Sequence, residues 1–288
     1  MKRRIDHRTI RFMEKALASA IVWAIAITMI VPFIWMLSAS LKLPGEVLEL
    51  PIRWIPKKFH WENYGVVWNI GGVAVRDYHF PLAYFNSLKI AFIDMGGSLL
   101  TSALAGYAFA KIPFRGRNVV FLLYLATMMI PSQITLIPKF VLFDRMGILG
   151  THLTLILPGL VTITGTFLMK QYFMQVPGEL RESAIIDGAS EIQIWGRIML
   201  PLAKPMLASL ALMVFLWNWN NYLEALVFLR SWRTYTITVA LGAFIDESLT
   251  EYNLVMAASV SALVPVIAVF VAGQKFLVKG LTAGAVKG

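Results

Sequence analysis

The sequence predicts an all-α membrane protein with six transmembrane helices, and three observations carry that prediction. Of 288 residues, 58% are hydrophobic and only 15% charged, with a mean hydropathy of +0.69; soluble domains carry about 25% charged residues. Six segments are apolar over roughly the 20 helical residues needed to cross a hydrocarbon core about 30 Å thick. Basic residues are also divided unevenly between the connections, as the preference of Lys and Arg for the cytoplasm requires.

Taken in order, residues 1–15 form a basic cytoplasmic segment and the first span lies near Ala16–Leu37. Although Leu37-Ser38-Ala39-Ser40 resembles a cleavage site, the apolar run exceeds the roughly 7–15 residues of a secretory signal, so it reads as an uncleaved anchor. An external loop, 38–84, follows and is rich in Trp54, Pro56, Trp61, Tyr64 and Trp68. Trp and Tyr favour headgroup level, so this loop is either partly interfacial or a docking surface for an external partner. Further spans are expected near Phe85–Ala110, Val119–Phe140, Leu153–Met169, Pro205–Leu229 and Leu254–Leu277, with a cytoplasmic tail at 279–288.

The charge balance fixes the direction. With these boundaries sixteen of the 26 basic residues fall on the side of the two termini, nine on the other side, and Lys89 within a span. The formal charge of +10 would suggest nucleic acid in a soluble protein; here it lies on the terminal side, so both termini are expected in the cytoplasm, with membrane lipid and no nucleic acid as partner. Cysteine is absent and the four histidines have no short ligand spacing, which leaves no expectation of disulfides, thiol catalysis or zinc. There is no phosphate-binding G-x-x-x-x-G-K-[ST] loop either. The chain is expected to be non-catalytic, to bind no cofactor or metal, and to depend on another chain for any ATP chemistry.

Residues 176–201, between the fourth and fifth spans, are the most informative. Pro177 can open a helix where its missing N–H costs nothing, and Glu179 and Glu182 suit the positive end of the helix dipole. Gly188 ends that helix; Ser190 caps a second, with Gln193 completing a capping box. A plain connector has no reason to expose Leu180, Ile185, Ile186, Ile192 and Trp195, so the segment either docks another protein or packs on its own helix ends.

The stretch Glu182-Ser183-Ala184, three residues, Gly188, nine residues, Ile198-Met199-Leu200-Pro201 resembles the cytoplasmic signature of membrane subunits of binding-protein-dependent ATP-binding-cassette importers. Ser183 stands where that pattern has Ala. Similarity to the maltose-type carbohydrate permeases extends to Ala83-Tyr84-Phe85-Asn86-Ser87-Leu88, to Met129-Ile130-Pro131 through Phe140, to Trp217-Asn218, and to the tail from Gly280 to Gly288. The resemblance implies a type I importer fold with a five-helix core over 85–278. It also implies a second homologous permease subunit, a cytoplasmic ATPase dimer using ATP and Mg, and an external solute-binding protein in a bacterial or archaeal cytoplasmic membrane. It assigns ATPase coupling to Glu182, Ser183, Ala184, Asp187 and Gly188, with Glu182 as the charged anchor and Ala184 and Gly188 permitting close approach. The implied cargo is a sugar or oligosaccharide, or else sn-glycerol 3-phosphate or a polyol.

Ionisable groups within spans are costly and normally face a bundle interior or a wet cavity. Asp94 and Glu224 are such groups, as is Lys89, which lies near a span end and can snorkel. The three-and-four spacing places Asn218, Asn221 and Tyr222 on one helical face. Amides and aromatic faces suit a carbohydrate path, and equally suit interhelical hydrogen bonds. Asp94 and Glu224 could instead be coupling carboxylates of an ion-driven secondary transporter, a reading that leaves residues 182–201 unexplained.

Overall fold

The computed structural model describes residues 7–69, 79–247 and 251–285, and all regular secondary structure among them is helical. The helices are α1 (His7–Ala39), α2 (Glu62–Val67), α3 (Phe80–Lys111), α4 (Arg117–Ala126), α5 (Ser132–Arg145), α6 (Leu153–Gly159) and α7 (Ile163–Gln175). After these come α8 (Glu179–Ile186), α9 (Glu191–Ile194), α10 (Leu200–Leu202), α11 (Lys204–Trp219), α12 (Leu223–Phe228), α13 (Ile237–Glu247) and α14 (Tyr252–Ala285). Four stretches among the described residues are long and apolar enough to cross a membrane, and the number is six if each of two strongly bent helix pairs is one span.

The third span is therefore not the straight rod expected from hydropathy. Between α4 and α5 the axis turns by 95° at Pro131, which has no N–H to donate and forces Ile130 into an extended conformation (ψ 113°). Between Glu191–Leu202 and α11 it turns by 79°, at Ala203 between Pro201 and Pro205. Hydropathy averages over the break at Pro131 and cannot see it, whereas the turn at Ala203 falls just before the start expected for the fifth span. The final helix is continuous to Ala285 where a tail was expected from residue 279, and residues 286–288 of that tail lie outside the described residues.

The chain divides into two compact units. The first comprises residues 1–75 and 244–261. In it α1 carries an apolar span, Met13–Ala39, whose most apolar 18-residue stretch has no buried residue. The turn after α1 is tied down from several sides: Asn63 Nδ2 donates to the carbonyls of Ser40 and Lys42 at 2.8 and 2.9 Å, and the Ser40 and Tyr64 hydroxyls lie 2.7 Å apart. Asn253 Nδ2 in turn donates to Asn63 Oδ1 at 3.0 Å.

The second unit comprises residues 76–243 and 262–288, and its axis is α3. Buried Asp94, Ser98 and Ser102 recur every four residues along one face of α3, toward α6 and α7. Ser98 Oγ donates to the Gly159 carbonyl, and Thr101 Oγ1 to that of Leu160. These are the carbonyls freed where α6 ends before Thr162 caps α7. Glycines make the approach possible: a Cβ on Gly106 would lie 2.6 Å from Met169 Cβ and 2.8 Å from the Lys170 backbone nitrogen, and one on Gly165 would strike Ser102. Small residues with hydroxyl cross-bonds are how helices associate where no hydrophobic force acts between them.

This packing gives a direct test. Gly106→Ala is expected to cost about 1–3 kcal/mol by overpacking against backbone, read as a lower melting temperature in detergent. Gly96→Ala, ten residues earlier on the same helix with nothing within 4 Å of the added carbon, is expected to lose no stability.

Candidate functional site

Residues 176–203 form a compact attachment outside the straight part of the spans. Gly178 opens α8 with Glu179 and Glu182 in its first turn. Gly188 ends it in the left-handed region at φ 79°, a conformation that glycine adopts at no steric cost. Ser190 then caps α9: its hydroxyl accepts from Gln193 N, while the Gln193 side chain accepts from Ser190 N at 2.9 Å. That is the capping box read in the sequence. A π-helical turn over Trp195–Met199 leads into α10.

The two faces of this attachment differ sharply. Glu182, Ser183, Asp187 and Gly188 are all exposed, and among the described residues neither acid has an ion-pair partner. Around them Ile186 and Ile192 are 86% and 77% exposed, and Leu180 and Ile185 are also exposed. Ala184 points the other way. It is buried with Tyr107, Phe173 and Ile194, so the close approach its small side chain allows is to this chain's own helices. Trp195 also departs from expectation: it packs partly buried against the same cluster rather than standing in water. It lies five residues beyond Ser190, where the turn has already swung back toward α3.

Sequence reasoning missed what holds the attachment in place. Tyr107 Oη, on the last turns of α3, donates to Glu191 Oε2 at 2.6 Å, and Arg181 donates to both oxygens of the same carboxylate. One glutamate thus ties together α3, α8 and α9. Four residues along, Lys111 donates to the Val176 carbonyl, and Tyr172 to the Leu202 carbonyl at 2.6 Å. The Arg181 hydrogen bonds hold the Glu191 carboxyl below the usual carboxylate range, with Tyr107 acting in the same direction and partial burial against them. Arg181 and Glu191 stand ten residues apart across a turn, a separation with no helical periodicity to advertise it.

The proposed path residues fall into two environments. The helix expected over 205–229 breaks: α11 stops at Trp219 and α12 starts at Leu223. Asn218, Asn221 and Tyr222 therefore do not share a helical face by three-and-four spacing. Asn218 and Asn220 turn their amides back onto the carbonyls of Val214 and Leu216, at 3.0 and 2.8 Å, the local competition by which Asn ends helices. Glu224 accepts from Asn221 Nδ2 at 3.3 Å and pairs with Lys139 Nζ of α5 at 2.8 Å, both side chains being about one quarter exposed. Tyr222 is 45% exposed. Asp94 is not part of this group. It is fully buried, neither oxygen has a hydrogen-bond partner, and it packs where a Cβ on Gly159 would collide with it. Lys89 is exposed.

The motif around Asn86 has a local role as well. Asn86 Nδ2 donates to the carbonyls of Arg233 and Tyr235 at 3.0 and 3.1 Å, and Ser87 Oγ accepts from Ile237 N at 2.7 Å. The two adjacent polar residues thus fasten the connection that precedes α13 to the start of α3.

The fold is that of an all-helical chain with several apolar spans, and comparison with known proteins gives its family. Residues 75–283 match the family described as binding-protein-dependent transport system inner membrane component, and the chain belongs to it. Among relatives, an arabinooligosaccharides transport system permease of Bacillus subtilis strain 168 is 33% identical over 259 residues, 89% of this chain and 90% of that protein. A lactose transport system permease of Rhizobium radiobacter is 33% identical over 258 residues, 90% of this chain and 91% of that one. An sn-glycerol-3-phosphate transport system permease of Yersinia enterocolitica is 34% identical over 238 residues, 82% and 84% of the two chains. A solved chain from a bacterial ABC transporter involved in the import of the acidic polysaccharide alginate superposes with a TM-score of 0.80 at 25% identity, covering 94% of this chain and 98% of its own.

Charge-assisted hydrogen bonds contribute about 1.5–3 kcal/mol when shielded. With Glu191 38% exposed, about 1 kcal/mol is expected to be lost in Glu191→Gln. Because the folded-state pKa of Glu191 is lowered, this contribution is full above the ordinary glutamate value of about 4.3 and disappears as pH falls through the lowered one. Melting temperatures of the wild-type chain and the variant in detergent should therefore differ at neutral pH and converge in acid.

Proposed function

We propose that this chain, with a second homologous permease subunit, forms the translocation path of an ATP-driven importer for a sugar or oligosaccharide delivered by an external binding protein. ATP and Mg are used by a separate cytoplasmic ATPase dimer, and this chain binds no cofactor. Both termini face the cytoplasm of a bacterial or archaeal cell. The observation that carries the proposal is the acidic, apolar-rimmed face of α8, exposed on a segment that α3, α8 and α9 brace through Glu191. A charged anchor ringed by apolar side chains on a rigid support suits docking into a cleft of another chain, and such a joint transmits a rigid-body stroke.

In this scheme Glu182 is the anchor, Asp187 a second contact, and Ser183 and Gly188 the small residues that let the partner approach. Ala184 sets how closely α8 sits on its own bundle. Asn221, Tyr222 and Glu224, with Asn218 beside them, form the polar wall of the path, the Lys139 pairing leaving Glu224 no net charge to repel or trap a solute. Buried Asp94 belongs to the bundle interior. The names of the arabinooligosaccharide and lactose relatives support carbohydrate cargo, and that of the glycerol-phosphate relative supports sn-glycerol 3-phosphate or a polyol as the second reading. The positive charge on the terminal side supports the orientation.

Glu182→Lys is expected to abolish solute-stimulated ATP hydrolysis and transport in the reconstituted importer while leaving the chain folded in detergent. Wild-type levels of both activities would remove Glu182 from the joint. Purification of the tagged chain from native membranes should bring with it a second permease and a cassette ATPase, read by mass spectrometry.

A further inference from the structure

The first unit carries a surface that the proposed transport function does not use. After α1 the chain folds back on itself, and what brings it back is the end of the span. Lys42, only 1% exposed, donates to the Arg53 carbonyl and holds its ammonium 4.2 Å above the centroid of the Trp35 ring. The Trp54 ring packs edge-on against Trp35, centroids 5.6 Å apart. His60 N donates to the Leu41 carbonyl at 3.0 Å, closing the loop at its base.

These contacts set a depth. Trp35 lies four residues inside the end of α1 at Ala39, about 6 Å at 1.5 Å per residue, and helical side chains lean toward the N-terminus. Trp54 is therefore brought level with the last turn of a helix whose most apolar stretch is unburied. The side chains flanking Trp54 are large, apolar and open: Leu50 is 79% exposed, Ile52 52% and Ile55 76%. Lys57 and Lys58 follow directly and are exposed, at a reach that suits lipid phosphates.

We propose that residues 48–61 are an interfacial anchor, seated among the phospholipids of the leaflet in which the first span ends. Leu50, Ile52 and Ile55 enter the upper acyl region, Trp54 sits at glycerol level and Lys57 and Lys58 meet the phosphates. The depth shared with Trp35, at the end of an apolar span, selects the occupant: a water-soluble binding protein would have to displace lipid to reach side chains held level with it. The anchor fixes the azimuth of the first span, whose most apolar 18-residue stretch has no residue buried within this chain.

The chain has no cysteine, so single labels are clean. Leu50→Cys and Ile55→Cys, with Trp23→Cys in the unburied stretch of α1 as the lipid reference, are labelled with an environment-sensitive fluorophore. The complete importer is reconstituted in phosphatidylethanolamine–phosphatidylglycerol vesicles, with and without its binding protein. The expected result is several-fold stronger quenching at 50 and 55 by a shallow nitroxide-bearing lipid than by aqueous iodide, unchanged by the binding protein. Equal or stronger iodide quenching at both positions overturns the proposal, because the loop then stands in water. Shielding from both quenchers overturns it as well, since a protein then covers the surface.

Discussion

Everything else in the larger unit hangs on the close contact of α3 with α6 and α7. A bilayer offers no water to satisfy a stray carbonyl and little gain from burying one apolar helix against another. The contact meets both conditions at once. Glycines at 97, 106, 159 and 165 remove the side chains that would separate the backbones, while Ser98 and Thr101 supply donors to the carbonyls left free between α6 and α7. Asp94 is lodged in the same seam without a partner, an arrangement that is expensive for a carboxylate anywhere. The seam continues to the other end of α3, where Tyr107 and Lys111 reach out to residues 176–191.

That continuity joins the exposed α8 face to the middle of the bundle. A displacement of α8 is not absorbed by a slack connector, because Glu191 binds α8, α9 and α3 together and Val176 and Leu202 are each held by a side chain from a neighbouring span. The break between α11 and α12 lies in the same chain segment, downstream of the attachment. There the backbone is unwound, Thr238 Oγ1 donates to the released Asn221 carbonyl at 3.0 Å, and irregular backbone at membrane depth is tolerated where protein satisfies it.

Features governed by local chemistry were legible in the sequence. The stop at Gly188 and the Ser190–Gln193 box follow from residue type and a three-residue spacing. The six apolar stretches follow from hydropathy, and the family signature from its fixed spacing over residues 182–201. What could not be read depends on which elements meet. Ala184 and Trp195 turn inward because α8 and the following turn lie against α3. The Lys139–Glu224 pair joins residues 85 positions apart. The Asn218–Tyr222 run contains the signal for its own break, since three Asn in four positions compete with the helix for its carbonyls. Apolar flanks make the run look continuous to any sliding average.

The π-helical turn at Trp195–Met199 acts as a phase adjuster. A π turn holds about one residue more than an α turn, and each residue of an α-helix advances the side-chain direction by about 100°. The Ser190 cap fixes the azimuth upstream, and burial of Met199 and Ala203 fixes it downstream, at the bend before α11. The extra residue reconciles the two. Shortening this turn by one residue would leave every hydrogen bond of the cap intact and yet turn Ala203 away from the core it shares with Tyr107 and Leu210. The segment therefore tolerates substitution far better than it tolerates a change in length.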